Sequence, residues 1–328
     1  MKTILWLLLL LPGIAAGQIY INSYQFAAPA ANCGGLPLDS DCAPDAELGL
    51  SLRKLRAAQS NDTCIQVRNA TTSRTFVIGF VNNYLDTARL KDSCASANCF
   101  VRIWYDQSGN GRNAEQTTDA NQPQITTSGV IFYKNGTPSL DFDGSNDFMQ
   151  IPNSATSFNF LHNGTISFVS HVVATDASVA AGQVIVANTN GGGAGRRGII
   201  QNIRSDYKVQ TFAHNGDLGT TAYANSTANN TIANNTFIWM AEIDADNATA
   251  SNRSKIYLNA GSAIQNNTET GGQITANAGS ILMISRYTSD SSGGELNGSI
   301  KEIIIWDTDQ STIRTDIRNN LNTFYSIY

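Results

Sequence analysis

Cleavage of a glycosidic bond needs two carboxylates converging on it, about 5 Å apart for retention of configuration and further apart for inversion. The sequence offers one compact acidic row, Glu242-Ile243-Asp244-Ala245-Asp246. Side chains two apart on a strand share a face, so Glu242, Asp244 and Asp246 would project together and could divide acid and base roles between them. The competing reading is structural: Trp239, Ala241 and Ile243 turn to the core and the acids face water as the strand runs out into a loop. Exposed rings are the other carbohydrate signal. Tyr207, Tyr223 and Tyr287 lie beside loops and are candidate glycan contacts, whereas Trp104 and Trp306 sit inside apolar strands and are assigned to the core. The three histidines, His162, His171 and His214, have no nucleophile at a recognisable spacing, and no nucleophile elbow is present. The segment Gly193-Ala194-Gly195-Arg196-Arg197-Gly198 fits a dinucleotide-loop pattern, but no βαβ unit surrounds it, so it is read as a hairpin loop. No cofactor is expected.

These residues need a scaffold, and the pattern is mostly one of short strands. Alternating or β-branched runs predict strands over Thr63 to Arg68, Phe76 to Val81, Phe100 to Tyr105, Leu140 to Phe142, Thr165 to Ala174, Gln183 to Ala187, Gly198 to Ile203, Tyr207 to Phe212, Phe237 to Ile243, Lys255 to Leu258, Ile281 to Ser285 and Ser299 to Trp306. Turn residues separate them, which predicts an all-β sandwich of antiparallel sheets. Helical spacing appears three times: Leu48, Leu52 and Leu55 predict a helix between Pro44 and Ala58, Leu85 to Lys91 a second, and Ile313, Ile317, Leu321 and Phe324 a terminal helix docking on the sheets. No repeat or linker divides the chain, so residues 18–328 are expected to form one domain.

The 328 residues are 41% hydrophobic and 14% charged, with a formal charge of −5, which is enough apolar material for a core and the wrong balance for binding nucleic acid. Lys2, the leucine run from Leu7 to Leu11 and the small residues Ala15, Ala16 and Gly17 read as a secretory signal over residues 1–17, too short to span a bilayer. A secreted, extracellular product without a membrane span is expected. All five cysteines fall in the first third; local staples, Cys33 with Cys42 and Cys94 with Cys99, are the simplest pairing and leave Cys64 over. Their spacings do not form the short paired clusters of a zinc site, and no metal is expected. Eleven Asn-x-Ser/Thr sequons, at Asn61, Asn69, Asn135, Asn163, Asn225, Asn229, Asn234, Asn247, Asn252, Asn266 and Asn297, suggest a glycosylated surface, with the chain's Asn and Thr content as the competing explanation.

The stretch from Cys94 to Asn113, a Cys-x4-Cys loop running into a strand and then Tyr105-Asp106-Gln107-Ser108-Gly109-Asn110-Gly111-Arg112-Asn113, resembles the fungal α-L-arabinofuranosidase B catalytic-domain family. The pair Cys33 and Cys42 and the leucines Leu48, Leu52 and Leu55 are similar to that family's opening, so the resemblance covers roughly residues 30 to 116. Physically, Asp106 to Gly111 make a polar tight turn in which Gly109 and Gly111 permit positive φ, a structural role more often than a catalytic one. Further on, Leu140 to Phe148, Lys255 to Asn259 and Asn297 to Ile305 are similar to the wider concanavalin A-like lectin and glucanase superfamily, which implies a two-sheet jelly roll with a glycan-binding concave face.

The family implies a glutamate nucleophile on a mid-domain strand and an aspartate acid shortly before the last strands. Asp290 stands one residue out of register with the second position, and the best match to the nucleophile strand, Gln183-Val184-Ile185-Val186, holds no glutamate. The family's vicinal cysteine pair and its C-terminal arabinose-binding trefoil have no counterpart. Loss of a nucleophile removes covalent catalysis while sparing the fold. The expectation is therefore a secreted module that binds carbohydrate or forms part of an extracellular coat. Its alternatives are an active α-L-arabinofuranosidase with Asp290 as acid and a relocated nucleophile, Glu242 or Glu295, and a structural or adhesive module with no sugar site.

Overall fold

The computed structural model describes residues 35–39, 42–152, 154–155, 157–158, 167–175, 182–189, 197–215, 221–225, 232–244, 247–265, 280–288 and 294–328, with the side chains at 167, 197, 213–215 and 221–225 outside that description. The predicted strands are present in an all-β sandwich, and every strand pairing is antiparallel. Nineteen strands form one continuous hydrogen-bonded network that folds onto itself as two layers. In the first layer the strands Ser254–Leu258, Thr236–Ile243, Ser167–Thr175 and Asn297–Trp306 are successive neighbours, and the far edge of Asn297–Trp306 is shared by Leu48–Ser51 and Leu140–Asp143. In the second, Ile65–Asn69, Cys99–Trp104, Ala114–Glu115, Met149–Ile151, Leu282–Ile284, Gln183–Thr189, Arg197–Ile203, Val209–Asn215 and Thr221–Asn225 follow one another. Gln124–Thr127 joins the layers by pairing with both Cys99–Trp104 and Leu140–Asp143.

Period-two alternation sorts the side chains. Val169, Val173, Phe237, Trp239, Ile243, Ile303 and Ile305 face inward and meet Ile185, Ile199, Ile203 and Val209 of the second layer in the main core. Trp104, Trp239 and Trp306 have no exposed surface, as expected for the two tryptophans placed in apolar strands. One polar bridge crosses this core: His171 Nε2 and Gln201 Oε1 lie 2.5 Å apart, so the ring nitrogen donates to the amide oxygen. Burial holds His171 down to about 4, a neutral ring.

The first layer has a second apolar face, outward, formed by Phe168, Val172, Ile238, Met240, Ile304 and Trp306. The terminal helix, α2 (Arg314–Tyr325), lies over it with Ile317, Leu321 and Tyr325 buried, in the stripe the sequence spacing predicts. Full burial of Ile317 or Leu321 stabilises by roughly 1.5–3 kcal/mol each. The shorter helix α1 (Thr87–Cys94) starts after Asp86, whose carboxylate accepts the Arg89 N–H, and ends in the Cys94–Cys99 disulfide.

The helix predicted between Pro44 and Ala58 is not formed. Leu48–Ser51 is an edge strand on Ile303 and its neighbours, and Leu48, Leu50 and Leu52 all enter the main core. Leu48 and Leu52 fit a period of two through Leu50 as well as helical spacing through Leu55, and pairing with Asn297–Trp306 selects the extended form. Gly49 fits that edge closely: a Cβ there would come within 2.9 Å of Leu38 Cδ1. Cys42 is disulfide-bonded, while Cys33 and the signal segment lie outside the described residues. Cys64 is a buried free thiol.

Candidate functional site

The most recognisable stretch of the sequence, Asp106 to Asn113, is a structural latch. Asp106 Oδ1 accepts the backbone N–H groups of Gly49 and Ser108, and Oδ2 accepts the Ser108 hydroxyl and the Arg112 N–H. Gln107 donates to the carbonyls of Ser51 and Arg53 and accepts from Leu55 N. Gly109 and Gly111 take φ of +97° and +69°, the positive values the turn requires. The motif thus ties the edge segment 49–55 to the strand Cys99–Trp104, and both lone-pair sets of Asp106 are occupied in doing so.

Glu242 does not face water. It lies on the outward face of Thr236–Ile243 under α2, 4% exposed, where Arg314 and Lys255 pair with it and the Tyr257 hydroxyl donates to Oε1 at 3.1 Å. The structural reading of the acidic row placed it in solvent; α2 covers this face instead, and a covered carboxylate requires partners. Asp244 continues the row and accepts from Asn247 Nδ2, whereas Asp246 lies outside the described residues. A second covered carboxylate on the same face, Glu302, receives Arg53 Nε at 2.7 Å and Nη2 at 3.0 Å, Ser51 Oγ at 2.7 Å and Tyr325 Oη at 2.9 Å. Burial and the Glu242 charge push the Tyr257 hydroxyl well above its ordinary value, so it keeps its proton near neutrality.

The outward face of the second layer is built differently. The strands Leu282–Ile284, Gln183–Thr189, Arg197–Ile203, Val209–Asn215 and Thr221–Asn225 contain no aspartate or glutamate. Val184, Ala187 and Ile200 form its apolar centre with Phe212 and Tyr287 against them. Alternation places Asn202 and its register partner Gln210 on this same face, both buried, with Asn202 Oδ1 lacking a hydrogen bond. Tyr287 is half-buried and held at one end by its hydroxyl, which donates to Gly182 O at 2.9 Å. A Cβ on Gly182 or Gly294, both at positive φ, would come within 2.6 Å of that tyrosine, so the two glycines grip the ring. Next to it Glu295 and Arg286 approach to 3.8 Å, and Arg286 covers the Phe148 ring.

Of the sequence candidates, only Tyr287 falls on this face with a described side chain. Tyr207 sits in the hairpin turn before Val209–Asn215 and packs on the main core. Tyr223 is the register partner of Phe212, its side chain not described, and Asp290 lies outside the described residues. Asn202 and Gln210 were not singled out from sequence; their alternation with Ile200 and Phe212 was the available signal. Among the sequons, Asn61 and Asn234 are exposed, while Asn69 is 5% exposed and donates to the carbonyls of Ser93 and Cys94. Asn135 is exposed too, but its amide donates to the carbonyls of Tyr325 and Ser326, and Asn247, Asn252 and Asn297 are half-buried. Asn225 has only its backbone described, and Asn163, Asn229 and Asn266 lie outside the description. Among the described residues no group of three or more His, Cys, Asp or Glu gathers to hold a metal, and no described helix is long and apolar enough to cross a membrane.

No protein-family model matches the chain, and no curated protein matches it. Solved structures do. A GH54 α-L-arabinofuranosidase soaked with a cyclic sulfate inhibitor superimposes with a TM-score of 0.56 at 14% identity, over 84% of this chain and 62% of that one. An arabinofuranosidase complexed with arabinofuranosyl-α-1,2-xylobiose gives 0.56 at 13% identity over the same shares. The likeness is one of fold, and this chain spans about 62% of the length of those enzymes.

Proposed function

We propose that the chain is a secreted, glycosylated carbohydrate-binding module on a glycosidase-like sandwich that does not cleave its ligand. The observation that carries this reading is the composition of five adjacent strands of the second layer, Leu282–Ile284, Gln183–Thr189, Arg197–Ile203, Val209–Asn215 and Thr221–Asn225, which contain no Asp or Glu and place Asn202 and Gln210 on its outward side. Amides such as Asn202 and Gln210 donate to and accept from sugar hydroxyls, but they cannot attack an anomeric carbon or hold a glycosyl ester. Tyr287, fixed between Gly182 and Gly294, supplies a pre-positioned ring at the edge of the face. The fold it shares with arabinofuranosidases makes arabinose-containing glycans the first ligands to try.

The hydrolase alternative rests on Glu295, the described carboxylate beside Tyr287, acting with Asp290. One experiment separates the two. The secreted protein is applied to a glycan array and incubated with 4-nitrophenyl α-L-arabinofuranoside. Binding without release of nitrophenol is the expected result. Steady release that disappears in Asp290→Asn or Glu295→Gln overturns the proposal, and neither binding nor release leaves the structural or adhesive reading in its place.

A further inference from the structure

A preformed aromatic cavity lies on the opposite side of the molecule, at the C-terminal end of α2. Two small hairpins outside the main network build its walls. One pairs Phe80–Val81 with Tyr84–Leu85 across Asn82-Asn83, the other Tyr133–Lys134 with Thr137–Pro138 across Asn135-Gly136, and all four turn residues have positive φ. Both hairpins are pinned. Leu85 N donates to Leu52 O and Lys54 N to Asn83 O, while Asn135 Nδ2 donates to the last carbonyls of α2 and Lys301 Nζ donates to the carbonyls of Lys134 and Thr137.

The cavity between them measures about 240 Å³ and is lined by Leu52, Tyr84, Tyr133, Thr137, Phe324 and Tyr325 among others. Five large apolar side chains are exposed among the described residues, and two of them, Tyr84 at 57% and Tyr133 at 47%, are walls of this cavity. Tyr84 stacks on Phe324 with centroids 5.1 Å apart, which fixes its ring. An apolar concavity with fixed rings and a few hydroxyls at its rim is the form of a small-molecule site.

The nearby charges are already satisfied. Arg53, over the Phe324 ring, pairs with Glu302, and Lys301, behind the Tyr325 ring, is enclosed by carbonyls and the Thr137 hydroxyl. No lining residue carries a formal charge near neutrality, so the lining offers an anionic ligand no ion pair. The volume falls below the roughly 300–1,000 Å³ of sites for drug-sized ligands, so it holds one ring and not a chain of them.

We infer that this cavity is a binding site for a single neutral sugar unit, stacked against Tyr84 and Tyr133 and hydrogen-bonded at the Thr87 and Thr137 rim, separate from the face that carries Tyr287. The inference does not depend on that face binding anything. The test titrates the full-length protein with L-arabinose, D-xylose and D-galactose, and with phenol as a non-sugar ring, following amide shifts by NMR. One stacked ring with few hydrogen bonds sets an affinity scale of about 1 mM. Saturable binding of a sugar that weakens at least tenfold in Tyr84→Ala and in Tyr133→Ala, both exposed positions, and is unchanged in Asn202→Ala supports the site. Binding of phenol alone, absence of any saturating sugar, or sugar binding that survives both tyrosine variants overturns it. Sugar binding lost only in Asn202→Ala overturns the cavity while leaving the proposed function standing.

Discussion

Glu242 and Glu302 lie on one outward face of the sandwich, beneath α2, each held by an arginine and a tyrosine hydroxyl. The outward face of the other layer carries Asn202, Gln210 and Tyr287 over an apolar centre, and the strands Gln183–Thr189, Arg197–Ile203 and Val209–Asn215 there hold no carboxylate. Both faces belong to one continuous hydrogen-bonded network, yet Glu242 and Glu302 stand on the one that a helix covers. A carboxylate under a helix must be paired to repay its desolvation, and once paired it has few lone pairs left for a substrate. The lesson is that the acidic residues most visible in this sequence are part of how α2 is attached, and recognition chemistry falls to neutral groups elsewhere.

The largest test of that contrast is Glu302→Ala. It leaves the Arg53 guanidinium buried and unpaired, and should cost about 3–5 kcal/mol in urea unfolding, whereas the paired change Arg53→Met with Glu302→Leu should recover most of the loss. A loss below about 1 kcal/mol would break the comparison, because surface pairs behave that way. Glu242→Gln keeps the shape but removes the charge opposite Arg314 and Lys255, with an expected cost of about 1–3 kcal/mol. Its glycan-array pattern should match that of the unmodified protein. Loss of glycan binding with the fold intact would instead return Glu242 to the functional site.

Two buried groups give the stability a pH signature with opposite slopes. His171 is held at about 4 by burial, below its ordinary 6.5, so the unfolded chain binds the extra proton between those values and stability falls as pH drops from 6.5 toward 4. Asp147 is raised to about 7 by burial and by Asp143, so the folded chain keeps the proton and stability falls as pH rises from 3.8 toward 7. Asp147→Asn should therefore remove the loss on the alkaline side and leave a profile that climbs from pH 4 to 6.5, read from melting temperatures across that range.

The smallest effects concern the sequons. Peptide mapping after expression in a glycosylating secretory host should find sugar on Asn61 and Asn234 and none on Asn69 or Asn135, whose amide nitrogens already donate to backbone carbonyls. Asn61→Gln should change stability by no more than about 0.5 kcal/mol. A glycan on a folded protein at Asn69 would contradict the burial described above.

Much of the scaffold was legible in the sequence. Ile313, Ile317, Leu321 and Phe324 mark the docked side of α2, and the alternating runs mark the long strands to within a few residues. The turn at Gly109 and Gly111 was read as structural, and its hydrogen bonds show it to be so. Leu48 to Leu55 departs from the expected helix because Leu48 and Leu52 fit either period, and the pairing of Leu48–Ser51 with Asn297–Trp306 decides between them. The site was less legible: Asn202 and Gln210 are ordinary amides until the register with Ile200 and Phe212 assigns them a face, and the cavity walls Tyr84, Tyr133 and Phe324 are far apart along the chain.

What the sequence by itself determined is the alternation and the helical stripe, since a period of two or of 3.6 sets which neighbouring side chains share a face whatever lies opposite. Only the tertiary structure decided which of those faces is covered, because cover comes from a distant element: α2 over Glu242, the last strand beside Leu48, two hairpins closing on Phe324. Burial fixes the ionisation, partners and availability of a polar group, and burial here is a property of how remote segments meet.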